Sequence, residues 1–175
     1  MPLLKDGEWI LDSWRFYPDD QPIPSAKPKI VTLARLEGDD GEFLFHCGCR
    51  LGVRLESHEK VEDLEPWLER LQLVALVFPK FADGRAFSSA AMLREHYGFQ
   101  GEIRAVGEVL VDQYPFMRRV GFDAFEVEQG RPLESWKSAR IGIGLTYQYD
   151  DRSPDGPAAV WRARRGNRPL TLAAE

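Results

Sequence analysis

The sequence predicts an α/β domain: about four consecutive βα units on a parallel sheet, resembling half a (βα)8 barrel or a small open sheet, with a short β-rich segment in front. Three observations carry this. Short apolar segments at 53–55, 73–78, 103–106 and 122–127 are each followed by a helical pattern, and strand–helix alternation builds parallel sheets with crossover helices. Their starts lie roughly 20–30 residues apart, the length of a βα unit. The segment 73–78, Leu-Val-Ala-Leu-Val-Phe, is apolar at every position, as a strand covered on both faces requires. The other strands place Arg54, Glu56, Arg104 or Glu126 where a fully covered strand would carry Val or Ile, so one face of the sheet is partly wet or lines a cavity.

The elements follow in order. Pro18, Pro22, Pro24 and Pro28, with Asp19-Asp20, mark a loop between short strands expected at 9–17 and 30–36. Asp39-Asp40-Gly41 is a turn that would join the second of these to a strand at Phe43-Leu44-Phe45. Beyond the 53–55 strand, Asp63-Leu64-Glu65-Pro66 predicts a helix capped by Asp63, with Pro66 in the first turn, where no N–H partner is lost. Leu64, Trp67, Leu68 and Leu71 then share one face. Ser88 or Ser89 is expected to start the helix that carries Leu93 and Tyr97. Asp112-Gln113-Tyr114-Pro115 repeats the Asp-x-x-Pro form with Asp112 as the cap. Gly98-Phe99 and Gly121-Phe122 put glycine just past two helix ends. Pro132 opens a last helix with Leu133, Trp136 and Ala139 inward. Ile141, Ile143, Leu145, Tyr147 and Tyr149 then alternate with small or polar residues, an extended edge segment. The chain divides into an N-terminal β/loop segment (1–50) that packs on the core, a βα core (51–149) and a loosely held tail (150–175).

Composition sets the outer limits. One domain is expected from 175 residues, and 43% hydrophobic with 29% charged residues excludes a disordered chain, a fibrous rod and a disulfide-stapled miniprotein. The longest apolar run, 73–78, is far short of the ~20 residues of a membrane span. A net charge of −5 speaks against a nucleic-acid partner. The basic run Arg162, Arg164, Arg165 and Arg168 reads as a solvated terminus. Residues 1–7 turn polar before any signal-peptide core develops, so the expected location is cytoplasmic and Cys47 and Cys49 are expected to be reduced.

Motifs narrow the chemistry. Gly142-Ile143-Gly144 lacks the third glycine of a dinucleotide loop; no phosphate-binding Gly-x-x-x-x-Gly-Lys run and no Gly-x-Ser-x-Gly elbow occur, and two cysteines fall short of four cluster thiolates. No cofactor is expected. His46-Cys47-Gly48-Cys49 is the weak metal alternative: on a strand His46 and Cys47 face opposite ways, and Cys-x-Cys is tighter than structural zinc spacing. Ligands of parallel α/β sheets lie beyond the carboxyl ends of the strands, here the loops 56–60, 79–89, 107–112 and 128–132. In the longest, Lys80 and Arg85 flank Asp83 and Gly84, and with Ser88 and free backbone N–H groups they form a candidate site for a small oxyanion. The plainer alternative is an Asp-Gly turn with an Asp83–Arg85 pair and a serine cap. Glu108 and Gln113, at the next strand end, complete the candidate set. His96 and Arg118-Arg119 read as cations near helix carboxyl ends.

The block Phe78-Pro79-Lys80-Phe81-Ala82-Asp83-Gly84-Arg85, Leu93-Arg94-Glu95, Gly101-Glu102-Ile103-Arg104-Ala105-Val106-Gly107, Asp112-Gln113 and Arg118-Arg119-x-Gly121-Phe122-Asp123-x-Phe125 closely resembles the bacterial "domain of unknown function 934" family; Gly52-Val53-Arg54-Leu55 and Tyr147-Gln148 extend the likeness. The resemblance implies an association with assimilatory sulfite reduction, as an oxidoreductase or an accessory protein, without supplying a mechanism. The expectation is an accessory protein that binds sulfite reductase or its electron donor. The alternatives are a small oxyanion-binding protein or enzyme using the 80–89 loop, and a thiol- or metal-dependent oxidoreductase through Cys47 and Cys49; whether the chain is an enzyme stays open. Because a four-unit half barrel has open edges, either the first 50 residues cover them or a second copy does, in a homodimer.

Overall fold

The computed structural model describes residues 2–24, 27–38, 41–46, 48–127 and 132–140. Its centre is one mixed, mostly parallel sheet of eight strands: β1 (Leu3–Lys5), β2 (Glu8–Ile10), β3 (Arg15–Phe16), β4 (Lys29–Thr32), β5 (Leu51–Leu55), β6 (Leu73–Phe78), β7 (Glu102–Gly107) and β8 (Ala124–Glu126). Their spatial order is β2-β1-β8-β7-β6-β5-β4-β3. Strands β3 to β8 run parallel and in sequence order, so right-handed crossovers put the helices that connect them on the same side. Strands β1 and β2 are antiparallel additions beyond β8.

The sheet is therefore larger than four βα units, and it is not wholly parallel. Residues before 50 are built into it at both ends, so β1 with β2 covers one edge of the β5–β8 core and β3 with β4 covers the other. The sheet is also curled rather than flat. Ile10 pairs on β1 and Arg15 pairs on β4, at opposite ends of the order. A flat sheet would separate β2 from β3 by about 34 Å, seven spacings of about 4.8 Å. Five residue steps reach at most about 18 Å. The two outer strands must approach each other, and the half barrel follows from chain connectivity.

Curling divides the side chains into an outer and an inner set. On the outer, helix-covered face lie Val31, Val53, Leu55, Val74, Leu76, Phe78, Ile103, Ala105 and Phe125, all buried. The inner face carries a smaller cluster, Ile30, Leu73, Ala75, Val77 and Val106, with Trp14 and Phe16 against it. Across the strands, one inner row reads Thr32, Arg54, Ala75, Arg104, Ala124. Small residues between long ones are what a tightly curved inner surface accommodates. Residues 8–16 extend this alternation: Glu8 and Ile10 share a face with inner residues of β1, and Asp12, Trp14 and Phe16 also reach inward.

Several expected elements take another form. The strand expected at 30–36 ends at Thr32, whose hydroxyl accepts from Arg35 N at 3.2 Å and caps helix α1 (Leu33–Glu37). The strand expected around Phe43-Leu44-Phe45 is helix α2 (Gly41–His46); a Cβ on Gly41 would sit 1.9 Å from Leu36 O, so glycine permits its start against α1. The Asp63 helix is a 3₁₀ helix over Val61–Trp67 with Asp63 inside it, and Pro66, lacking an N–H, leaves the tighter turns in place. Asp112 likewise lies inside a short 3₁₀ turn, Val111–Gln113, ahead of α4 (Tyr114–Arg119) with Pro115 in its first turn. Helix α3 (Arg85–Ala91) begins before either serine and continues as a π-helical segment, Met92–His96.

The glycine stops hold. Gly98 and Gly121 have φ of 61° and 106°, and Phe99 N and Phe122 N close back on Leu93 O (2.8 Å) and Met117 O (3.0 Å). Arg94, buried, ties these two stops together through Phe99 O, Gly121 O (3.1 Å) and the Asp123 carboxylate, which also accepts from Ile103 N at 2.9 Å. Helix α5 (Leu133–Arg140) buries Trp136 against Tyr114. The extended segment expected at 141–149 and the tail at 150–175 lie outside the described residues. Among the described residues no helix is long and apolar enough to cross a membrane.

The exit from β7 depends on Gly107, at φ 96°, where a Cβ would lie 2.4 Å from Phe78 O. Gly107→Ala is expected to lower stability by about 2 kcal/mol or more, from strain and backbone overlap. Urea denaturation measures it; a loss below about 0.5 kcal/mol would mean the turn adapts at no cost.

Candidate functional site

The carboxyl ends of β5, β6 and β7 bring three loops together. From β5, Arg54 lies with its guanidinium 4.8 Å over the Phe16 ring and its Nε 2.9 Å from Glu56 Oε1. Glu59 Oε2 accepts from Glu56 N at 2.6 Å and folds the 56–60 loop onto itself. From β6, the chain turns through Asp83, and Arg85 returns to it: Nη2 to Oδ2 is 2.6 Å and Nε to Oδ1 is 2.9 Å. The same Arg85 Nη2 donates to Ser57 Oγ at 3.0 Å, linking the β6 loop to the β5 loop. From β7, Glu108 Oε2 accepts from Phe81 N at 2.8 Å, and Gln113 Nε2 makes a long 3.5 Å approach to Phe81 O. Among the described residues, Gln113 Oε1 is buried without a partner.

Electrostatics follow from these bonds. The Arg85 side-chain hydrogen bond holds the Asp83 carboxyl well below its ordinary value, against an opposing desolvation effect, with further help from the Arg85 amide and Ser57. Asp83 in turn raises Arg85. The pair is a local two-point salt bridge, and the Arg85 charge is already matched. Glu108 adds a carboxylate beside Phe81 on the same loop. An oxyanion would meet these acids as well as the helix start.

The candidate residues thus fall into two contacts. Asp83 and Arg85 meet Ser57, and Glu108 and Gln113 meet the Phe81 backbone. Gly84 leads into α3 with open space where a Cβ would be. Lys80 is exposed, and Ser88 is exposed on α3 rather than at its cap. Among the described residues no hydrogen bond joins either of them to the other candidates. Instead Ser89 Oγ donates to Arg85 O at 3.2 Å, inside the helix. The loop after β8, residues 128–131, lies outside the described residues.

The His46-Cys47-Gly48-Cys49 segment is placed in part. His46 ends α2 with Nδ1 2.6 Å from Glu42 O, Cys49 is half-buried, and Cys47 lies outside the described residues. Among the described residues no three His, Cys, Asp or Glu side chains are grouped to hold a metal ion.

Two features carry no sequence motif. One is an apolar run at the end of the outer strand β2: Trp9 and Ile10 on the strand and Leu11 just beyond it are 37%, 40% and 99% exposed. The other is the inner-face cluster of Arg104, Glu102, Asp12 and Lys5. The alternation along 8–16 was the available signal for both, but it identifies an inward face only once the sheet is known to curl.

Comparison with known proteins gives one family. A family model described as a bacterial protein of unknown function, DUF934, matches residues 52–158, well over half of the chain. No curated protein matches it.

The Asp83–Arg85 pair has a defined pH signature. A carboxyl with a lowered folded value adds stability above its ordinary value of 3.8, and that contribution disappears as pH falls toward the folded value. A carboxyl-detected NMR titration should place the Asp83 midpoint well under 3.8, and Arg85→Gln should move it back up. An unchanged midpoint in Arg85→Gln would assign the shift to something other than this pair.

Proposed function

Because the chain belongs to the bacterial family of unknown function DUF934, we propose that it is a cytoplasmic accessory protein of assimilatory sulfite reduction that acts by binding the reductase or its electron donor. The pathway is the one the family resemblance implies. The observation that supports a binding role is Trp9 on the outer strand β2 and Leu11 just beyond it, 37% and 99% exposed, with Ile10 between them 40% exposed on the opposite, inner face. Aromatic and aliphatic anchors of this kind concentrate at protein interfaces, and an outer strand offers backbone groups to a partner. Leu11 in water forgoes roughly 1.5–3 kcal/mol of burial, and Trp9 and Ile10, already more than half buried, forgo a part of theirs, which a partner surface recovers.

The 80–89 loop gives the oxyanion alternative less support. Arg85 is matched by Asp83, which leaves Lys80 as the cation of that loop with no acid bonded to it among the described residues.

Affinity capture of the tagged chain from a host grown on sulfate as sole sulfur source tests the proposal. The expected result is recovery of sulfite reductase or its donor by wild type, and at least about tenfold less with a Trp9→Ser, Leu11→Ser variant of unchanged thermal midpoint, as loss of interface anchors predicts. No reductase or donor in the wild-type capture, with normal sulfite reduction in a deletion strain, sinks it.

A further inference from the structure

Residues 11–14 cross from β2 to β3 over the inner face, and few contacts hold them there. Among the described residues no backbone group of 11–13 bonds to a neighbouring strand; the Trp14 amide bonds locally, to Asp12 Oδ1 at 3.0 Å. Leu11 points into solvent, and Ser13 accepts from Arg50 Nη2 at 3.1 Å at the surface. The inward side chains do the rest. Trp14 packs half-buried on the Ile30–Leu73 cluster, with the Arg50 guanidinium 5.2 Å over its ring. Asp12 meets the Arg104 fork at two points, Oδ2 to Nη1 at 2.6 Å and Oδ1 to Nη2 at 3.2 Å.

Arg104 is 1% exposed, and its other edge is bonded to Glu102 Oε1 through Nε (3.0 Å) and Nη2 (2.8 Å). Glu102 also takes the Lys5 ammonium at 2.7 Å. With Asp12 in place, two cations meet two carboxylates. Without it, one carboxylate is left for two cations, and the outer edge of the Arg104 fork faces the gap. A guanidinium fork held rigid on its far edge is a receptor for a planar carboxylate. Segments with few backbone bonds and few buried contacts open at the low end of a protein's free-energy range.

We propose that residues 11–14 form a strap that opens as a unit while the rest of the sheet stays folded, and that the Asp12 carboxylate is the built-in occupant of a carboxylate site on Arg104. An external carboxylate takes that site when the strap is open. The inference stands apart from the docking proposal, because its readout is local opening rather than capture of a partner.

Hydrogen exchange with peptide-level mass spectrometry on the full chain tests it, with sodium acetate as the probe. The 9–17 peptide of wild type should exchange at least about tenfold faster than peptides covering β6 and β7, as sub-global opening requires. Asp12→Ala should accelerate 9–17 by about another tenfold, the order expected for loss of a charge-assisted bond, and leave β6 and β7 unchanged. In Asp12→Ala, acetate should slow exchange at 9–17, and sodium chloride at equal ionic strength should not. Equal rates in wild type, uniform acceleration in Asp12→Ala, or failure of that variant to fold would each make the pair part of the global fold and overturn the strap. No difference between acetate and chloride would overturn the carboxylate site.

Discussion

Five residue steps join Ile10 on one outer strand to Arg15 on the other, and that short tether dictates the shape of everything between them. A flat sheet of eight strands needs about twice the reach those residues have. The sheet therefore curls, and one face becomes an enclosed interior. Enclosure is what makes the Arg104 network necessary. A guanidinium that would be solvated on an open sheet is here 1% exposed, and it is retained through the carboxylates of Glu102 and Asp12. An unpaired charge at that position would cost several kcal/mol, roughly the scale of a small domain's whole stability margin. Ala75 and Ala124 on the neighbouring strands supply the space, so the pattern of small and long residues on the inner row and the closure by residues 11–14 are parts of one arrangement.

The same curl gathers the strand ends. Loops after β5, β6 and β7 converge at one rim and are stitched by Arg85 to Ser57 and by Glu108 to the Phe81 amide. The stitching consumes the charges that made the 80–89 loop attractive as an anion site. Asp83 satisfies Arg85 within two residues, and Glu108 is spent on backbone. Among the described residues, what remains exposed there includes Lys80 and the ring of Phe81, 51% exposed, while Trp9 and Ile10 on the outer strand β2 are 37% and 40% exposed. On this chain the polar rim organises loops.

Much of the fold was legible because its cause is local. An all-apolar hexapeptide, Leu73–Phe78, is too short for a buried helix and sits within a strand–helix alternation, and it is the buried strand β6. Gly98-Phe99 and Gly121-Phe122 end their helices as expected, since glycine, lacking a Cβ, takes a positive φ without steric cost. Residues 30–46 were harder. Ile30 and Val31 read as strand, and Leu33 and Leu36 continue the apolar run, yet the Thr32 hydroxyl caps a helix at that point and changes the period from two to nearly four. Gly41 was read as part of a turn; its closeness to Leu36 O explains why it starts α2. The site residues were found by position along the chain, and Asp83 with Arg85 matched the plain alternative of a local pair.

The sequence by itself determined the alternation of βα units, the central strand, the glycine stops and the family, because each rests on neighbours within a few residues or on a motif read in order. Only the tertiary structure decided where the first 17 residues go. Strand pairing of β1 with β8 and of β3 with β4 joins residues more than 100 positions apart in one case and about a dozen in the other, and no local period encodes that choice. Once the pairing is made, the tether forces the curl, the curl buries Arg104, and Asp12, an unremarked acid within the strand expected at 9–17, becomes its partner.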